Sequence, residues 1–107
     1  MESQIIANEI LRALADPTRR EILSRLRSGR QPVGLLARSF PVSRPAISKH
    51  LRILREARLV VDRKQGRERF CELNVEPLRQ VDRWLDEYRR FWTVNLERLK
   101  SYVESTE

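Results

Sequence analysis

Ile6, Ile10 and Leu14 recur four residues apart, with Ile5 and Ala13 beside them, and this spacing predicts an amphipathic helix over roughly residues 3–15. Asp16-Pro17-Thr18 then supplies an N-cap carboxylate followed by proline at the first helical position. The helix that starts there keeps Ile22, Leu23 and Leu26 on one side and is expected to stop at Gly29, a good left-handed terminator. A short third helix follows from about Val33 to Phe40, with Leu36 and Phe40 inward. Phe40-Pro41-Val42 forms a tight turn, because proline has no amide to carry a helix onward.

Ser43 caps the next predicted helix, over roughly 44–57. On its wheel Ile47, Leu51 and Leu54 share one side, the buried one. The other side shows Pro45, Ser48, Lys49 and Arg52, flanked by Arg44 and Arg55. Two helices joined by a short turn, the second basic outward, form a helix-turn-helix pattern. The periodicity then changes. Residues 59–63 and 69–73 are rich in β-formers, and the basic stretch Lys64-Gln65-Gly66-Arg67-Glu68 between them contains a turn glycine. That predicts a two-stranded hairpin, or wing. Asn74 or Glu76 caps a last, long helix reaching about Val103, along which Leu78, Val81, Leu85, Tyr88, Trp92, Leu96, Leu99 and Val103 recur at threes and fours. The fold class is therefore mainly α with a small β-hairpin (α+β): five helices plus a wing in a single domain over residues 1–107.

Charge sharpens this picture by its placement. Residues 1–41 carry seven arginines against four acids, and residues 42–70 carry nine Lys/Arg against three acids. Residues 71–107 carry six against eight, so the positive charge peaks over the helix-turn-helix and the wing. A concentrated basic region beside an acidic one implies a polyanionic partner. The major groove of B-DNA admits one helix and presents distinct donors and acceptors to it. Ser43, Arg44, Pro45, Ser48, Lys49, His50 and Arg52 are the expected DNA-binding residues of the reading helix, with Arg44 suited to a bidentate guanine contact. Ser43 and the helix N-terminus suit a backbone phosphate, and Arg52 and Arg55 lie where phosphates would be met. His50 is expected as a phosphate contact or a surface residue. On the wing, Arg63, Lys64, Gln65, Arg67 and Arg69 would reach the adjacent minor groove or backbone.

At roughly 28 residues the last helix measures about 42 Å, well beyond the radius of about 13 Å of a 100-residue globule. Five of the chain's seven aromatics (Trp84, Tyr88, Phe91, Trp92 and Tyr102) lie on it. So much apolar surface on a charged chain predicts a partner helix, best supplied by a second copy. The expected dimer interface comprises Ile6, Ile10, Leu78, Val81, Leu85, Tyr88, Trp92, Leu96 and Leu99. Such a homodimer would present two reading helices to a palindromic double-stranded operator.

No apolar run is long enough to span a membrane, and MESQIIANEI lacks the basic-then-apolar order of a secretory signal. A single cysteine allows no intrachain disulfide, so a cytoplasmic location is expected. No Ser/His/Asp set, glycine-rich phosphate loop or metal-ligand cluster stands out, so no catalytic residue, no metal and no cofactor is expected.

The segments Leu-Ala-Asp-Pro-Thr-Arg-Arg-Glu-Ile-Leu (14–23), Ser-Arg-Pro-Ala-Ile-Ser-Lys-His-Leu (43–51), Leu-Arg-Glu-Ala-Arg-Leu-Val (54–60) and Arg-Lys-Gln-Gly-Arg-Glu-Arg-Phe (63–70) resemble the ArsR/SmtB family of bacterial winged-helix repressors. The resemblance runs from about residue 8 to 103. It implies a homodimer that binds an operator and blocks transcription, often of its own operon. Many members of that family sense metals, and here the sequence departs from them. Pro32 and Gly34 stand where the family's cysteine pair would flank Val33, and the last helix has no histidine for the second known site. Cys71 is expected to be a buried small hydrophobe. The resemblance thus points to a metal-independent, thiol-independent branch, with any small-molecule inducer unspecified. Arg58 replaces the glycine common before the Leu-Val strand, which predicts some backbone strain. Two other readings remain open: a metal- or redox-responsive repressor with unrecognised ligands, and a winged helix that binds RNA or protein without regulating transcription.

Overall fold

The structure is a computed structural model that describes residues 2–105, with side chains from Ala7 onward. Helix α1 (Glu2–Leu14) leads into α2 (Pro17–Leu26), a two-residue strand β1 (Gln31–Pro32), α3 (Val33–Arg38) and α4 (Arg44–Glu56). Strands β2 (Val60–Gln65) and β3 (Glu68–Leu73) form the wing, and α5 (Glu76–Ser105) ends the chain. No helix among the described residues is long and apolar enough to cross a membrane.

Local chemistry sets these boundaries. Asp16 Oδ2 accepts from the Arg19 amide at 3.1 Å and Pro17 follows as the first helical residue. Burial works against Asp16's ionisation. The Arg19 amide, His50 and the Arg19 guanidinium outweigh it and hold the carboxyl below its ordinary 3.8. A carboxylate whose folded value is lowered stabilises the fold above its unfolded value and loses that contribution as pH falls through the folded one. Asp16→Ala is therefore expected to cost about 1 kcal/mol near neutral pH, a typical N-cap loss. Denaturant titrations of both proteins should show this difference shrinking once pH drops below 3.8.

Helix α2 ends at Leu26, three residues before the expected stop, and Gly29 (φ 141°) turns the chain into β1. That strand pairs with β3 (Gln31 with Cys71, Pro32 with Phe70), giving a three-stranded sheet in the order β1-β3-β2. Two residues, one of them an edge-tolerated proline, leave no alternation for a sequence reading to find. Similarly α3 stops at Arg38 rather than Phe40, where the Ser39 amide closes the last turn on Leu36. The wing is longer than expected, because β2 and β3 pair all the way to Gln65–Glu68. Only Gly66 and Arg67 remain as loop, and a positive φ of 64° at Gly66 alone fits a type II′ turn.

The core joins Ile10 and Ala13 of α1, Ile22 and Leu26 of α2, Leu36 of α3, Ile47, Leu51 and Leu54 of α4, Val60 and Cys71 of the sheet, and Val81 of α5. Burial pushes the Cys71 thiol up to about 11, helped by nearby Asp62, so little of it is thiolate near neutral pH. This matches the expected buried hydrophobe.

Arg58 takes φ 61°, the strained left-handed conformation expected where glycine is missing. Its carbonyl accepts from Asn74 Nδ2 at 2.9 Å, while Asn74 Oδ1 receives the Glu76 amide at 3.3 Å and caps α5. Arg58→Gly is expected to stabilise the fold by about 0.5–1 kcal/mol, the left-handed strain less glycine's greater unfolded entropy. A rise of a few degrees in Tm checks it.

Candidate nucleic-acid interface

Helix α4 is held from within and open on its outer side. Ile47, Leu51 and Leu54 lie in the core, while Ser43, Arg44, Pro45, Ser48, Lys49 and Arg52 are exposed. Ser43 Oγ caps the helix by accepting the Ala46 amide at 3.3 Å. Short residues at this end (Ser43, Pro45, Ala46) leave the first turn uncluttered. Arg44 and Lys49 have no ion-pair partner among the described residues, so both cations are available outward. Arg52 lies 4.0 Å from Glu56 with both ends exposed, a weak pair. Arg55 instead bonds Asp62 at 2.6 Å and ties α4 to β2.

The register of the hairpin sorts the wing's cations. Lys64 and Arg69 are cross-strand partners and share a face with Asp62 and Cys71, whereas Arg63 and Gln65 share the opposite face with Phe70 and Glu72. On that second face Arg63 Nε donates to Glu72 at 2.6 Å. Gln65 accepts from Arg30 at 2.5 Å, and the Arg30 guanidinium lies 4.5 Å from the Phe70 ring centroid. Lys64, Arg67 and Arg69 have no such partner among the described residues. The structure therefore leaves two sets of open cations, Arg44 and Lys49 on the outer side of α4 and Lys64, Arg67 and Arg69 toward the end of the wing. Arg30 was missed by the sequence reading, because its position beside the wing depends on the unforeseen pairing of β1.

His50 requires a correction. Its ring does not join the exposed face but turns toward the start of α2, with its side chain only 17% exposed. There Nδ1 lies 3.2 Å from Arg19 Nη1 and 3.9 Å from Asp16 Oδ2. Position 50 sits at the edge of the buried stripe of Ile47, Leu51 and Leu54, where the ring meets Arg19 of α2 and its N-cap Asp16.

The long helix overhangs the domain. Its 30 residues span about 45 Å, and the chain extends 66 × 33 × 22 Å with a radius of gyration of 18.8 Å, against about 13 Å for a compact globule this size. Of the expected interface residues, Leu85, Tyr88, Trp92, Leu96 and Leu99 are exposed, Trp92 at 64%. Leu78 is half-buried. Ile10 and Val81 are corrected: both belong to the chain's own core, where α1 meets the start of α5, and lie beneath the face rather than on it. Ile6 belongs to α1, but its side chain lies outside the described residues. The polar side of α5 is laced by Glu76 with Arg79 and Arg83, and by Arg89 between Asp82 and Asp86.

Among the described residues no three of His, Cys, Asp and Glu stand together as a metal-binding group. A helix-turn-helix with an open basic face beside a basic wing suits a duplex, and the comparisons with known proteins agree. The sequence profile of the family described as "Bacterial regulatory protein, arsR family" matches residues 16–61. The HTH-type transcriptional regulator Rv2034 of Mycobacterium tuberculosis is 47% identical over 93 residues, covering 87% of this chain and 84% of that protein. The transcriptional repressor SdpR of Bacillus subtilis is 37% identical over 78 residues, covering 73% and 87%. A crystal structure of the ArsR family transcriptional regulator RHA00566 superposes with a TM-score of 0.77 at 39% identity, covering 84% of this chain and 93% of that one. An ArsR-like transcriptional regulator from Rhodococcus sp. RHA1 also gives 0.77, at 34% identity over 94% and 95%. This chain thus belongs to the ArsR family of winged helix-turn-helix transcriptional regulators, DNA-binding proteins that are not enzymes.

Proposed function

We propose that the protein is a dimeric, sequence-specific repressor that binds a palindromic operator of its own or a neighbouring operon. The observation that carries this reading is the construction of α4, whose inner side is fixed in the core while Arg44, Ser48 and Lys49 stand open on its outer side. In this reading Arg44 contacts a base, Ser43 and the capped N-terminus of α4 receive a phosphate, and Lys64, Arg67 and Arg69 grip the flanking backbone. Arg63 and Gln65, already engaged by Glu72 and Arg30, are left out of these contacts.

The exposed stripe of Leu85, Tyr88, Trp92, Leu96 and Leu99 pairs with the same stripe of a second copy. Two-fold pairing sets the reading helices about one DNA turn apart, which a palindrome rewards. Derepression does not run through the family's cysteine pair, since Pro32 and Gly34 offer no ligand atoms and Cys71 is a buried, largely protonated thiol.

Fluorescence anisotropy with the duplex upstream of the chain's own gene, against a scrambled duplex, tests the proposal at about 0.15 M salt, where non-specific phosphate binding is weak. Tight binding of the upstream duplex alone supports an autoregulating repressor. Equal, salt-sensitive binding of both would mean that the protein does not read this operator.

A further inference from the structure

His50 sits on the reading helix yet faces away from its open side, and its partners belong to a different part of the fold. Arg19 Nε donates to the Ala13 carbonyl at 2.7 Å and its Nη2 to the Arg12 carbonyl at 3.1 Å, both in the last turn of α1. Its remaining terminal nitrogen, Nη1, meets His50 Nδ1 at 3.2 Å. A guanidinium only donates, so in this contact Nδ1 is the acceptor. Asp16, 3.9 Å from the ring, holds the Arg19 backbone through the N-cap bond. One arginine thereby joins the end of α1, the start of α2 and the middle of α4.

This geometry points to His50 as a positioning residue for base reading, an inference that rests on α4 being the reading helix. The core contacts of α4 come from Ile47, Leu51 and Leu54, and apolar packing is non-directional. Such packing holds the helix in the domain but fixes its rotation about its own axis only loosely. A hydrogen bond weakens steeply when bent, so the Arg19–His50 contact adds the directional constraint. His50 follows Ser48 and Lys49 directly and lies under two turns from Arg44, so a small rotation at position 50 swings all three away from the base edges. The opposite anchor is the end of α1, whose Ile10 and Ala13 are buried in the core that also holds Val81 of α5. His50 thus references the reading helix to the helices that carry the proposed dimer face.

Two variants separate this role from simple packing. His50→Leu fills the space but removes the acceptor, whereas His50→Asn keeps one, because its Oδ1 occupies nearly the position of Nδ1. Each is compared with the wild-type protein on a duplex that the wild type selects from a random pool, and on a scrambled duplex, with thermal unfolding in parallel. His50→Leu is expected to lower the ratio of selected to scrambled affinity about tenfold, the scale of one misplaced base contact, with scrambled binding unchanged. His50→Asn is expected to remain within about threefold of the wild-type ratio, because the charge-assisted bond is kept. An unchanged ratio in His50→Leu would overturn the inference. So would equal losses in both variants, or a parallel fall on both duplexes that follows the drop in Tm. If the wild type itself selects no sequence, the DNA-reading function fails, and this inference with it.

Discussion

If the proposed dimer forms through α5, Trp92→Glu is expected to turn it into a monomer and to weaken binding of the proposed operator by at least about a hundredfold, the scale by which linked binding exceeds single-site binding. Trp92 is 64% exposed in the single chain, so the substitution disturbs little of its core. In the paired state its indole would be buried between two copies of α5, together with Tyr88 and Leu96. Aromatic anchors of that kind each contribute upward of about 2 kcal/mol to an interface. Glutamate removes that contact and places an unpaired charge in an apolar seam twice, once from each subunit, and such charges are strongly disfavoured. Light scattering behind a sizing column reads the mass, and circular dichroism checks that helix content survives. A Trp92→Glu protein that stays dimeric would show that α5 pairs through another face.

Arg44→Ala and Lys64→Ala are expected to fail in different ways. Loss of a bidentate arginine contact relaxes preference at one base position by roughly 1–3 kcal/mol and leaves other positions as they were. Loss of Lys64 weakens selected and scrambled duplexes alike and lowers the salt slope by about one phosphate's worth per wing. The structure supports this division, since Arg44 stands at the first turn of a helix held by its own core, whereas Lys64 lies near the tip of a hairpin beside Arg69. Affinities of a base-substituted operator series at several salt concentrations distinguish the two. Identical profiles for both variants would mean that neither residue reads bases.

Most of the architecture was legible in the sequence, because the signals that specify it are local. Asp16-Pro17 and Ser43 announce helix starts through groups that bond amides three residues away. The buried stripe of α4 and the length of α5 follow from helical periodicity alone. Gly66 marks the hairpin, and Arg58 standing where a glycine is usual foretold the one strained backbone angle of its kind among the described non-glycine residues. The motifs that announced the family lie in these same segments, and the basic surface of α4 could be listed residue by residue from a helical wheel.

What tertiary structure decided concerns residues whose role depends on a distant neighbour. β1 exists because Gln31 and Pro32 meet Cys71 and Phe70, a pairing across some forty positions that no local pattern encodes. With it came Arg30 on Phe70, and the division of the wing's cations between engaged Arg63 and open Lys64, Arg67 and Arg69. Val81 shares the periodicity of Leu85 and Trp92 along α5, yet α1, with Ile10 in the common core, covers the first turns of α5 and leaves the rest bare, so the same stripe is core at one end and surface at the other. His50 looked like one more polar residue of the reading helix, until the approach of Asp16 and Arg19 turned its ring inward. Periodicity tells which side of a helix is apolar, but only the packing of the whole chain determines what each side meets.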